Sequence, residues 1–237
     1  MPKTHLPIVL AAAIPVLFLA ACGEVVHLEP MRTEPIGIDV GKSERANVEL
    51  DMGAGELNVN GGSAKLIDGE FEFNVSSIQP MVESSVNGSH AVITVREPHH
   101  GGIHSGGVRN RWSLRLNDRV LFDLSINCGA GKAQLDLGSL DLRTLEVHMG
   151  AGQMDLDLRG HPTRDYDANI AGGVGQATIH LPPDVGVRAE AHGGLGSVEV
   201  TGLEKEGDHY ENKLYDKSKV NIRLNVNGGV GQIRILD

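Results

Sequence analysis

Aromatic side chains are almost absent, with one Trp, three Tyr and four Phe in 237 residues. Cysteine is scarcer still. Cys22 and Cys128 are the only two, too few for a disulfide framework. Positive charge is in deficit, 21 Lys and Arg against 31 Asp and Glu, for a formal net charge of −10. That balance excludes recognition through a nucleic-acid backbone or an anionic membrane surface, both of which require clustered cations. No stretch reads as a long amphipathic helix, and no collagen-like period occurs. What the chain does hold is aliphatic material and 31 Gly, enough for a core of one or two ordinary domains.

The apolar residues are concentrated once, near the start. Lys3 is followed by an almost wholly apolar run over residues 6–19, closed by Leu19-Ala20-Ala21-Cys22. A run of that length is short for a bilayer span, which needs about 20 residues, and its layout is that of an export signal. The final tetrapeptide resembles a bacterial lipobox. The resemblance implies acylation of Cys22, which becomes the first mature residue and supplies the membrane attachment. Gly23 carries no acidic retention signal, so in a cell with two membranes the outer one is expected. With Cys22 acylated, Cys128 has no intrachain partner and is expected as a small buried apolar group.

Beyond a weakly patterned stretch with Pro30 and Pro35, one motif recurs six times. The copies are VELDMGAGELNV, LSINCGAGKAQL, LEVHMGAGQMDL, ANIAGGVGQATI, AEAHGGLGSVEV and LNVNGGVGQIRI. Alternation of period two on either side of a Gly-x-Gly predicts a strand, a corner and a second strand. Glycine suits a corner because a sharp change of direction often requires positive φ. The corners are expected at Gly53/Gly55, Gly129/Gly131, Gly150/Gly152, Gly173/Gly175, Gly194/Gly196 and Gly229/Gly231. The middle copies recur at 21 to 23 residues, a solenoid-like period.

The residues around the first Gly vary together: Met52 with Ala54, Cys128 with Ala130, Met149 with Ala151, Gly172 with Val174, Gly193 with Leu195, and Gly228 with Val230. A large residue goes with Ala, and Gly goes with a branched residue, which predicts that both positions fill one space inside each corner at constant volume. Two before each first Gly stand Asp51, Asn127, His148, Ala171, His192 and Asn227, expected as a solvated polar row. Further strands are expected at residues 70–75, 81–86 and 91–96, with Asn87-Gly88 as a hairpin turn. Asn117-Asp118 is expected to turn a second hairpin.

VELDMGAGELNVNGG followed by GEFEFNV resembles the amino-terminal part of the toast-rack family of bacterial envelope proteins. LPPDVGVRAEAHGGLGSVEV and NGGVGQIRI are similar to its carboxy-terminal repeats. The resemblance implies an all-β rack of stacked strands, similar to a β-solenoid, with an amino-terminal β-hairpin portion. Relatives are labelled candidate adhesins or occur in envelope-stress sensing, and no catalytic residues carry over.

The expected organisation is a signal at residues 1–21, a tether at 22–45, an amino-terminal β portion at 46–98, a His/Gly-rich loop at 99–107 and the repeat rack at 108–237. Candidate chemistry is thin. Gly129-Ala130-Gly131-Lys132-Ala133 fails as a phosphate loop, since Ile126 stands where Gly is needed and Ala133 where Ser or Thr is needed. His99, His100 and His104 on a flexible loop are an alternative metal-binding tract, although a solvated linker between the two β portions is the favoured reading. No carboxylate pair or Gly-x-Ser-x-Gly is present, and a single Trp argues against the alternative of a carbohydrate-active solenoid. The charged excursion over residues 204–219, with Tyr210 and Tyr215, is the expected partner contact. The sequence thus leads to a lipid-anchored, non-catalytic binding or scaffold protein. It has no cofactor, its partner is an envelope protein or cell-wall component, and free sheet edges permit self-association.

Overall fold

In the computed structural model, which describes residues 28–98 and 106–237, the alternating stretches form strands and nothing longer than one 3-10 turn at Ser76–Ile78 is helical. Thirteen strands follow in chain order: β1 (Arg32–Ile38), β2 (Arg45–Ser63), β3 (Ile67–Phe73), β4 (Met81–Asn87), β5 (His90–Arg96), β6 (Asn110–Asn117), β7 (Leu121–Asp136), β8 (Asp141–Asp157), β9 (Tyr166–His180), β10 (Gly186–Thr201), β11 (Glu204–Glu206), β12 (His209–Glu211) and β13 (Asn221–Leu236). All belong to one sheet, ordered β1-β3-β6-β2-β7-β8-β9-β13-β10-β12-β11, with the β4–β5 hairpin attached to β2.

The six repeat copies are β2, β7, β8, β9, β10 and β13, paired in parallel through their whole length. Each is a continuous strand, not two strands with a break. Each must nevertheless fold back on itself. β7 has 16 residues and would reach about 50 Å if straight. The chain returns from Asp136 to Asp141, which pairs with Leu121 at the start of β7, in a link that spans at most about 18 Å. The two ends of β7 are therefore close, and the strand is a V with its bend at the Gly-x-Gly. Burial alternation changes phase there: Leu124, Ile126 and Cys128 point inward before the bend, and Ala133 and Leu135 after it. The space between the two arms, stacked coil upon coil, is the core.

In the amino-terminal part Trp112 meets Phe71 edge-on at 5.3 Å. Outside, arginine–carboxylate pairs join neighbouring strands, such as Arg111 to Glu56, Arg115 to Asp68 and Arg223 to Asp167. Asp123 is a half-buried acid. Burial opposes its charge, but hydrogen bonds from Arg143 and Thr144, with the charges of Arg143 and Arg45, hold its carboxyl below the usual range.

Two expectations are corrected, and one arrangement stands outside them. Residues 32–38 are not tether but β1, antiparallel to β3 with Ile36 buried. Asn117-Asp118 turns no hairpin, because β6 and β7 lie on opposite sides of β2, each parallel to it. Finally, the coils are not stacked in chain order, since β13 lies between β9 and β10. The short 181–185 link carries the chain past one strand position, and the longer excursion after β10 brings it back.

Candidate functional site

The corners are the most specialised part of the molecule. The second glycine of every pair has φ between +131° and +149°, a conformation other residues adopt only with strain. Between neighbouring coils the stacking is closer than any side chain allows. A Cβ on Gly131 would lie 1.9 Å from the Gly55 carbonyl oxygen, and one on Gly150 2.3 Å from that of Gly129. The same contact recurs, at 1.8 to 2.4 Å, up to Gly194 and Gly196 against Gly229 and Gly231. The six corners thus form a bare backbone ladder.

What fills the inside of a corner differs from the sequence expectation. Met52, Cys128 and Met149 are buried, at 1%, 2% and 7% exposure, whereas Ala54, Ala130 and Ala151 lie on the outside. Val174, Val230 and Leu195 are likewise outside, at 57%, 47% and 75% exposure. The paired positions therefore do not share a space. Gly-x-Gly shifts the strand's phase, so the interior partner is five residues on, across the bend. A Cβ on Gly228 would meet Ile233 at 2.6 Å, and one on Gly193 would meet Val198 at 2.9 Å. Read in this way, the pairs are Met52 with Leu57, Cys128 with Ala133, Met149 with Met154, Gly172 with Ala177, Gly193 with Val198 and Gly228 with Ile233. The smallest pair, Gly172 with Ala177, leaves a hollow of ≈ 50 Å³ bordered by Met149, Met154, Ile170 and Ile233. That is far below the roughly 300 Å³ of a small-molecule pocket.

The two ends of the ladder differ. At the β2 end it is locked: the Glu97 carboxylate accepts from the Gly53 N–H at 2.9 Å and from the Asn110 amide at 2.8 Å. Asn110 also donates to the Ala54 carbonyl at 2.9 Å. Both side chains are buried. At the β10 end nothing comparable among the described residues covers the corner, and Val174, Val230 and Leu195 form an apolar ridge beside it.

Cys128 is buried between the arms, as expected. Desolvation, with the nearby charge of Glu97, pushes its thiol up to about 11. In the folded chain at pH 8 Cys128 should resist maleimide labelling and should react only on unfolding, which peptide mass spectrometry reads directly; prompt labelling would refute its burial. The row is present, with Asp51, Asn127 and Ala171 half-buried and His148, Asn227 and His192 exposed, in the spatial order Asp51, Asn127, His148, Ala171, Asn227 and His192. Tyr210 and Tyr215 are half-buried. Tyr210 packs on the core opposite Ala189, beneath Lys205, so the excursion is first a partial cover for the first arm of β10. Cys22, His99, His100 and His104 lie outside the described residues. Among those described, no group of three or more His, Cys, Asp or Glu is arranged to hold a metal, and no helix is long and apolar enough to cross a membrane. Sequence reasoning missed Glu97 and Asn110, which stand outside every repeat copy.

A Gly-cornered rack of V-shaped coils, filled with aliphatic side chains, defines an all-β architecture without an evident reaction centre. Residues 28–180 match the family model described as the N-terminal domain of toast_rack, and residues 129–235 match that of the C-terminal part of LiaF, cell wall-active antibiotics response. This chain belongs to the toast-rack family. A candidate cell adhesion protein from Clostridium sporogenes is 32% identical, with a TM-score of 0.84 over 86% of this chain and 98% of that one. Candidate adhesins from Bacteroides fragilis and Parabacteroides distasonis are each 10% identical with a TM-score of 0.33, over 87% of this chain and 97% of theirs. At that distance they carry no argument. No curated protein matches.

Proposed function

We propose that this is an exported, lipid-anchored protein of the cell envelope that works by binding and scaffolding, without catalysis. One observation carries the reading: among the described residues the rack spends its inward positions on aliphatic packing, and the hollow between its last corners is too small for a substrate. The toast-rack and LiaF-like matches support an envelope setting, and the adhesion label of the Clostridium relative supports a binding role. Leu19-Ala20-Ala21-Cys22 supplies the anchor: Cys22 carries acyl chains whose burial contributes about 0.8 kcal/mol per CH₂, so two or more chains hold the protein on the membrane. The partner is another envelope protein or a cell-wall component.

Cys22→Ala should shift the chain from the membrane fraction to the soluble fraction and abolish labelling by a clickable fatty acid. An alanine variant that still labels and sediments with membranes would exclude this anchor.

A further inference from the structure

The β10 end of the rack is unfinished. One side of β10 pairs with β13 over its full length. The other side is met by β12 only at Arg188 and Ala189, with one further bond from the Asn212 N–H to the Val187 carbonyl. Along residues 190–200 no strand among those described pairs with that side. The inward residues there, Ala191, Val198 and Val200, are only partly covered, and Leu195 at the corner is the most exposed large apolar residue described. Open edges are normally blunted by Lys, Pro or a covering segment, and terminal coils of a stack normally carry a polar outer cap. Residues 190–200 contain no Lys and no Pro.

We propose that this edge pairs with the same edge of a second copy, closing a two-fold dimer. Two observations select that occupant, beyond the bend that any strand laid on this corner must follow and that a second β10 reproduces. The opposite end of the rack does not offer a matching edge, since Glu97 and Asn110 close the β2 corner, so copies cannot add head to tail and the assembly closes at two. Charge agrees as well. In the antiparallel register that sets inward Ala191 opposite inward Val200, outward His192 falls opposite Glu199, twice by symmetry, and Glu190 faces Thr201. No like charges oppose. The register centres on Leu195 and Gly196, which brings the two exposed Leu195 side chains to the axis. The proposal does not depend on the anchor at Cys22.

The test uses the full-length chain in mild detergent with single added cysteines and a short bismaleimide, each compared with the unsubstituted chain. Leu195→Cys should link into dimers. Ala130→Cys, an equally exposed corner position four strands away in the sheet order, should not, because at about 4.8 Å per strand its two copies would be roughly 40 Å apart. Adding Glu199→Lys to Leu195→Cys should lower the yield about five-fold by turning two favourable cross-strand pairs unfavourable, and His192→Glu on top should restore it. Equal linking at positions 195 and 130, a ladder of larger species, or a yield indifferent to Glu199→Lys would each overturn the proposal. All substituted side chains are exposed, and a circular dichroism spectrum like that of the unsubstituted chain verifies folding.

Discussion

Gly175→Ala is expected to prevent the protein from folding, whereas Gly172→Ala, three residues earlier on the same strand, is expected to be silent or mildly stabilising. At Gly175 φ is +142°, and a Cβ would lie 1.8 Å from the Gly152 carbonyl oxygen. Neither problem has a local remedy. The obstructing atom is backbone, held by strands on both sides, so relief requires separating β8 from β9 and β9 from β13. The cost should exceed about 4 kcal/mol, a large part of the roughly 5–15 kcal/mol that holds a domain together. At Gly172 a Cβ would meet nothing within 4 Å, because it enters the hollow left by the small Gly172–Ala177 pair. There the lost freedom of the unfolded chain should contribute about 0.4–1 kcal/mol of stability. Thermal melts followed by circular dichroism measure both variants. A folded Gly175→Ala protein melting near the parent would refute the close stacking of the ladder, and a large loss at Gly172 would refute the hollow.

Glu97→Ala should cost about 2–4 kcal/mol, since it orphans the Gly53 N–H and removes the acceptor for a buried Asn110 amide, at about 1–3 kcal/mol for each group left without a partner. Glu97→Gln should cost less, as its amide oxygen still accepts. The loss would appear as a lower urea midpoint with an unchanged slope. A second readout is independent of stability. The Glu97 charge is one of the two causes that raise the Cys128 thiol, so in either variant that thiol should titrate lower than in the parent. A thiol whose titration is indifferent to position 97 would show that the lock does not sit beside Cys128 as described.

The strands and the corners were legible in the sequence because both follow from rules with a fixed period. Leu124, Ile126 and Leu135 alternate as a half-buried strand must, and the Gly-x-Gly marks where alternation fails. The interior of the corner was misread for a related reason. Counting residues two apart assumes an unbroken strand, but the left-handed second glycine inserts a phase change, so Met52 answers to Leu57 and not to Ala54. A spacing of five across the glycines was present in every copy and would have given the correct pairs. The β13 position was not legible, because parallel neighbours are chosen by how far a link reaches, and similar copies are interchangeable by pattern. Residues 32–38 gave little signal because an edge strand has few buried side chains, here Ile36 alone. Glu97 and Asn110 acquire their role only once the fold brings them to the first corner.

The place of β13 bears on when the molecule can close. Its 16 residues follow β9 and β10 in the chain, yet they occupy the gap between those two layers. Growth from the amino terminus can consolidate β2, β7, β8 and β9 in turn, but β10 then has only the short β12 beside it until β13 arrives as a keystone. A chain interrupted before residue 221 would retain an unpaired flank on β9 and another on β10, whose other side meets only β12 at Arg188 and Ala189, a state prone to wrong pairings. Closure of the rack thus waits for β13, made well after the two strands that it joins.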